Sequence, residues 1–175
     1  HGRRGDEVGG PIAAGLPGER PAAYGRRVTA LSLDAALARR RRRGLPPAPV
    51  LAADTTVALG RRILGKPRDA HDAAAMLTAL AGRTHRVLTA VSVARGRRRW
   101  QALRVSHVRF APFDAQVVAR YVAGGEPFGK AGAYAIQGAL AGWIAHIDGS
   151  HSGIVGLPLY ETAQLLRAAG VPVPV

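Results

Sequence analysis

The stretch that most constrains the fold is an apolar run from Val50 to Val57, which contains one carboxylate, Asp54, and two threonines. Apolar runs of this length that are bounded by turn signals are typical of a buried β-strand. A strand that finishes on Asp54 would carry that acid to the rim of the sheet, where open α/β sheets place their ligand sites. A turn-capping role for Asp54 remains equally open on pattern alone, because Asp is common at strand ends.

Helical and strand patterns alternate along the chain without internal repeats, which predicts an α/β fold. The predicted helices begin at Pro21, at Asp69 or His71, at Asp114 and at Leu157. Alternating β-branched segments predict strands over residues 84–93, 103–110 and 143–147, and the first two are joined by a hairpin turn at residues 95–99. Between residues 126 and 142 the composition shifts to Gly and Ala, which predicts an ordered functional loop.

The size and composition of the chain predict one globular domain. Its 175 residues are 47% apolar and 21% charged, which is enough for a hydrophobic core and argues against disorder. Residues 1–18 are rich in Gly, Pro and Arg and predict an irregular arm, so residues 19–175 are expected to form the single domain. No cysteine is available for a disulfide or a thiolate metal site. No membrane span or signal peptide is recognisable, so a cytoplasmic protein without a membrane partner is expected.

The net charge is +14, and five of the positive charges form an unbroken arginine run at residues 39–43. Cations suit the C-terminal end of a helix dipole, so a solvated helix face is the favoured interpretation. A nucleic-acid-binding patch is the alternative. Aromatic residues make up only 5% of the chain and are not interleaved with the arginines, which counts against a stacking platform for single strands and against nucleic acid as a partner.

Two lysines stand out, because almost all positive charge in this chain is arginine. Of 25 basic residues only Lys66 and Lys130 are lysines, and each directly follows a glycine. A compact ammonium beside a permissive backbone suits a phosphate or carboxylate partner, although chance also produces such pairs.

Four motifs follow one another in order and with regular spacing: residues 53–55 with 63–67, residues 82–85 with 87–89, residues 130–134 with 136–138, and residues 156–162. Together they resemble the Maf family of nucleoside triphosphate pyrophosphatases, over about residues 16–170. It implies a mixed twisted sheet with flanking helices around a deep cleft, similar to the inosine triphosphate pyrophosphatases. It also implies a hydrolase acting on acid anhydrides, which converts a nucleoside triphosphate to the monophosphate and pyrophosphate with a divalent metal, Mg or Mn.

The resemblance assigns roles to five residues. Asp54 matches the proton acceptor and would also serve as a metal ligand. Thr55 and Gln137 match positions tied to base selectivity, in the branch that acts on dTTP and UTP. Lys66 and Lys130 match the two lysines along the phosphate path. These roles are chemically reasonable, because attack on a phosphoryl group needs a deprotonated water and neutralised oxygens, and because an amide offers both donor and acceptor to an imide.

The chain departs from the family pattern at the phosphate loop. The family's Ser-x-Ser-x-x-Arg string is absent, so either the sequence starts downstream of it or this end has diverged. Glu7 is a weak match to a second metal-binding acid, and Gly129 stands where an aspartate usually precedes the lysine. Three functions therefore compete: an active pyrimidine triphosphate pyrophosphatase, a nucleotide-binding protein without turnover, and a nucleic-acid-binding protein. A homodimer is left open.

Two further residues have simpler expected roles. His85 is expected to be a strand residue rather than a ligand, since the six histidines show no metal-binding spacing. For Tyr134, packing and contact with the ligand are equally favoured.

Overall fold

One antiparallel sheet with helices on both faces forms the fold. The computed structural model describes residues 15–175, and its five strands lie in the order β2-β1-β3-β4-β5. The strands are β1 (Val50–Leu59), β2 (Arg62–Leu64), β3 (Thr84–Arg95), β4 (Arg98–Phe110) and β5 (Ile144–Asp148). The helices are α1 (Pro21–Arg42), α2 (Ala70–Leu80), α3 (Ala115–Ala123), α4 (His151–Val155) and α5 (Leu159–Ala168).

The helix boundaries follow from local capping chemistry, as predicted. Pro21 occupies the first turn of α1, where its missing N–H costs nothing. Asp69 caps α2 by accepting from the Asp72 N–H at 2.8 Å, and Asp114 caps α3 by accepting from two backbone N–H groups at 3.0 Å. These three helix starts are therefore confirmed.

The α/β class is confirmed, but the pairing differs from the predicted mixed sheet. All four pairs among the described strands are antiparallel. The reason is that β1 and β2 join through a turn at Gly60, and β3 and β4 through a turn at Gly96, and such short links can connect only antiparallel neighbours. The β2-α2-β3 crossover does bring two strands into the same direction, but β1 lies between them.

The sheet separates two cores. The larger one lies between the sheet and helices α2 and α3, and it includes Leu77, Leu80 and Phe110, which are almost completely buried. The smaller one lies under α1, where Leu33 and Leu37 pack against Ala94 of β3. The face that α1 covers is called the α1 face below, and the other is called the cavity face.

Strand β1 does not finish on Asp54, which corrects the sequence prediction. Asp54 lies in the middle of the strand and pairs with Ala90 of β3. The strand continues because the next three residues are β-branched and favour extended structure. The apolar run is also less buried than predicted, since Leu51 is 38% exposed. The predicted arm falls largely on residues 1–14, outside the described residues, so the division into arm and single domain stays a prediction.

Candidate functional site

A cavity of about 250 Å³ opens on the cavity face of the sheet. Three of the predicted site residues, Thr55, Lys130 and Gln137, line it together with Tyr134. The remaining walls come from β1, β3, the loop after α3 and α4: Val57, Val87, Gly129, Ala131, Ala135, Ile136, Ile154 and Val155. Residues that are far apart in sequence therefore converge on one concave, partly apolar site, which is the usual form of a small-ligand site.

The hydroxyl of Thr55 has a defined orientation. Thr55 Oγ1 lies 3.0 Å from Thr89 Oγ1, and the Thr89 hydroxyl donates to the backbone oxygen of Gly153 at 2.6 Å. Because a hydroxyl has a single proton, Thr89 is the acceptor in its bond with Thr55 and Thr55 is the donor. Thr55 therefore presents lone pairs, and so an acceptor, to the cavity.

Glu126, which is not among the residues predicted from the sequence, holds the loop that carries Lys130 and Gln137. Its carboxylate oxygens accept from the Ala139 N–H at 3.1 and 3.2 Å. Its backbone oxygen accepts from Lys130 Nζ at 2.6 Å. The loop thus closes on Glu126 at both ends, with Gln137 two residues from the bonded amide. A Glu-Pro pair at the start of a Gly-rich segment was the available signal, since such a segment leaves backbone N–H groups to be satisfied.

Tyr134 both packs and lines the cavity, so neither of its two expected roles excludes the other. Its hydroxyl lies 2.5 Å from His85 Nε2, and the two rings meet edge-on beside Phe110. His85 is buried in β3, which confirms that it is a strand residue. Burial lowers the pKa of His85 from 6.5 to about 4 and raises the pKa of the Tyr134 hydroxyl. The neutral imidazole therefore fixes the tyrosine wall of the cavity.

The buried His85 should make stability fall in mild acid. Because its folded pKa of about 4 is below its ordinary 6.5, the unfolded chain binds the proton more readily and the stabilisation is lost as pH falls from 6.5 toward 4. We expect the free energy of unfolding to drop by about 2–3 kcal/mol between pH 7 and 4.5, from the shift at about 1.4 kcal/mol per pKa unit. Urea unfolding of wild type and His85→Phe measures it. The pH dependence of the free energy of unfolding should flatten in His85→Phe and persist in a His146→Asn control, which changes an exposed histidine. If His85→Phe kept the wild-type pH dependence, His85 would not be the group responsible.

Asp54 lies on the opposite face of the sheet from Thr55, because adjacent strand residues point to opposite faces. Its Oδ2 accepts from Thr29 Oγ1 of α1 at 3.3 Å, and the same hydroxyl contacts the backbone oxygen of Ala90 at 3.2 Å. Asp54 is therefore not part of the cavity lining.

Of the other two predicted site residues, Lys66 is also outside the cavity lining. Lys66 is exposed, but its neighbour Gly65 accepts from the Gly132 N–H at 3.1 Å, so its segment is bound to the Lys130 loop. Glu7 lies outside the described residues. The structure thus brings together Thr55, Lys130 and Gln137 and leaves Asp54 across the strand from them.

The edge of β1 connects the two faces. Strand β2 pairs only with Val57–Leu59, so within residues 15–175 the β1 segment 50–56 has a paired strand on one side only, namely β3. A strand edge without a partner exposes backbone N–H and C=O groups. Thr55 on the cavity face and Asp54 on the α1 face both belong to this segment.

The described residues offer little for a resident metal. Among them, no three His, Cys, Asp or Glu side chains come together as a metal site. A single carboxylate such as Asp54 still fits Mg²⁺ that binds together with a nucleotide, because that ion is commonly held by one or two carboxylates and by substrate phosphates. None of the described helices is long and apolar enough to cross a membrane.

The sequence and fold define a Maf family protein: the family model described as "Maf-like protein" matches residues 14–169, and the chain belongs to this family. Similar curated proteins have the name dTTP/UTP pyrophosphatase. One from Polaromonas sp. is 60% identical over 168 residues, 96% of this chain and 83% of that protein. One from Cupriavidus metallidurans is 63% identical over 160 residues, 91% of this chain and 80% of that protein. One from Albidiferax ferrireducens is 57% identical over 168 residues, 96% of this chain and 84% of that protein.

Proposed function

We propose that this protein hydrolyses dTTP and UTP to the monophosphate and pyrophosphate. The observation that carries the proposal is the convergence of Thr55, Lys130 and Gln137 on one cavity. Relatives at 57–63% identity that bear the name dTTP/UTP pyrophosphatase support it. A cytoplasmic location belongs to the same proposal, since it supplies the nucleotide substrate.

The polar groups of the cavity suit a uracil or thymine base. The imide edge of these bases has one N–H donor between two carbonyl acceptors. Thr55 presents an acceptor, because its proton is directed to Thr89. Gln137 is exposed at the cavity wall and offers an amide N–H₂ to a carbonyl. Cytosine has a lone pair where the imide has its N–H, so it would place acceptor against acceptor at Thr55.

The two lysines are the proposed phosphate-binding residues. Lys130 Nζ donates one proton to the Glu126 backbone oxygen and has two more for phosphate oxygens. Lys66 projects from the segment that is bonded to the same loop. Their charges would neutralise the oxygens of a triphosphate that passes from the cavity toward the β1 edge, and neutralisation of these oxygens favours attack at phosphorus.

Asp54 is the proposed general base. A water attacks the α-phosphorus, the bond from that phosphorus to the bridging oxygen breaks, pyrophosphate leaves, and the proton of the water passes to the Asp54 carboxylate. A divalent metal would be held by Asp54 and the triphosphate oxygens, and it supplies charge neutralisation and a lower pKa for bound water. Thr29 of α1 contacts the same carboxylate at 3.3 Å.

Pyrophosphate release tests the function and the base selectivity together. With Mn²⁺, wild type should hydrolyse UTP and dTTP at least about tenfold more efficiently than CTP, as expected for a site whose polar groups are matched to one base. Gln137→Ala should reduce the preference for UTP over CTP by about tenfold, the effect of one lost hydrogen bond of roughly 1.4 kcal/mol. Gln116→Ala, which changes an exposed residue of α3, is the matched control and should keep the preference.

One outcome would reject the proposed enzyme activity. Wild-type protein that binds UTP in calorimetry but releases no pyrophosphate would be a nucleotide-binding protein without turnover. An unchanged base preference in Gln137→Ala, with normal turnover, would reject the role of Gln137 alone.

A further inference from the structure

Two arginine-rich segments that are distant in sequence meet at one end of the sheet. The last turn of α1 and its cap contribute Arg39–Arg43, and the β3–β4 hairpin contributes Arg95 and Arg97–Arg99. They are adjacent because Leu37 of α1 packs against Ala94 of β3 and Arg99 Nη1 lies 2.6 Å from Asp34 Oδ1. These nine arginines are called the arginine surface below.

The arginine surface has almost no compensating charge. Asp34 is the one acidic residue in α1, β3, β4 and the hairpin turn between these strands. Seven of the nine arginines, including the entire hairpin group, are exposed. Like charges at this density repel one another and oppose the compact state. The dipole of α1 accounts for one or two cations near its last turn, not for a second group on a hairpin.

The arginine surface is separate from the nucleotide cavity. Val87 of β3 lines the cavity, whereas Ala94 and Arg95 lie seven and eight residues further along the same strand. At about 3.3 Å per residue, that separation is roughly 25 Å. A nucleotide in the cavity therefore does not account for these charges.

We infer that the arginine surface binds the phosphate backbone of duplex nucleic acid, without reading its sequence. Guanidinium groups bind phosphate oxygens through paired hydrogen bonds. The helix end and the adjacent hairpin spread these groups over a wide surface, as contact with several backbone phosphates requires. Single strands are disfavoured as the ligand, because their binding sites rely on exposed aromatic rings. The nearby aromatic ring, Trp100, is half-buried and has the Arg98 guanidinium over it at 4.8 Å.

The fold changes the interpretation of the arginine run at residues 39–43 that the sequence favoured. Five arginines at the end of one helix are well explained as a solvated face. The hairpin arginines lie more than 50 positions later along the chain, and no sequence pattern links them to the end of the helix. Because α1 and the β3–β4 hairpin lie side by side, both groups share one surface, and their combined charge is what a duplex backbone attracts.

Fluorescence anisotropy with a 20-base-pair duplex tests the inference on the full chain at two salt concentrations. Replacing Arg41, Arg42, Arg97 and Arg98 by Gln should weaken binding at least tenfold and flatten the dependence of log Kd on log salt, since each phosphate contact contributes about 0.9 to that slope. The control replaces Arg61, Arg62, Arg83 and Arg109 by Gln. It removes the same charge from exposed positions near the other end of the strands and should change Kd by less than threefold.

Three outcomes would overturn the inference. The first is equal weakening by both sets of substitutions, which would indicate only nonspecific attraction by net charge. The second is tighter binding of a single strand of equal length. The third is binding of phosphatidylglycerol vesicles with no binding of the duplex. UTP hydrolysis by both variants should match wild type, so a failure here is distinct from a failure of the proposed enzyme activity.

Discussion

Asp54→Asn should lower kcat for UTP hydrolysis by at least about 100-fold, the usual contribution of a positioned general base. The asparagine oxygen can still accept from the Thr29 hydroxyl, which now contacts Asp54 Oδ2 at 3.3 Å, so the packing of α1 should be retained. What is lost is the carboxylate that takes the proton from the attacking water. Pyrophosphate release at saturating UTP measures the effect, and thermal unfolding verifies that the variant is folded.

Thr29→Val is the control that separates chemistry from packing. Thr29 is completely buried and also contacts the backbone oxygen of Ala90 at 3.2 Å. Removal of its hydroxyl should destabilise the protein by about 1 kcal/mol, the net value of a typical hydrogen bond, with less than a threefold change in kcat. If Thr29→Val were as inactive as Asp54→Asn, Asp54 would act by holding α1 and not as the base.

Features set by neighbouring residues could be predicted from the sequence. The caps of α2 and α3 depend on Asp69 and Asp114 and on backbone groups two or three residues away, so their positions follow from local chemistry. The cavity residues Thr55, Lys130 and Gln137 were found through the family resemblance, and the fold brings them together. The short helix α4 was not predicted, because five residues are too few to show helical periodicity. Two of its residues, Ile154 and Val155, line the cavity.

Features set by long-range contacts could not be predicted in this way. The apolar run at β1 predicted a strand that finishes on Asp54. The β-branched residues that follow instead pair with β3 as far as Ala58, and Leu59 pairs with β2, so Asp54 lies within the strand and contacts α1. The bond between Glu126 and Ala139 joins residues 13 positions apart, and no local rule links them. The face that a side chain occupies depends on register and on which helix covers the sheet, and both depend on the whole fold.

Gly132→Ala should strongly destabilise the loop that carries Lys130. Gly132 has a φ of +70°, and an added Cβ would lie 2.8 to 3.0 Å from three side-chain atoms of Val57. Two costs combine: about 1–2 kcal/mol for a Cβ in left-handed conformation and about 1–3 kcal/mol for overpacking a buried contact. We expect a loss of about 3 kcal/mol in the free energy of unfolding, measured by urea titration, and a higher KM for UTP because the loop carries Lys130.

Gly129→Ala separates these two costs within the same loop. Gly129 has a φ of +79°, but an added Cβ would meet no atom within 4 Å. Its loss should therefore be limited to about 1–2 kcal/mol from the backbone conformation. Val57→Ala combined with Gly132→Ala should recover at least about 1 kcal/mol relative to the sum of the single effects, as expected for residues in direct contact. Equal losses for the two glycines and strictly additive effects with Val57→Ala would show that the packing of this loop against β1 does not position the cavity.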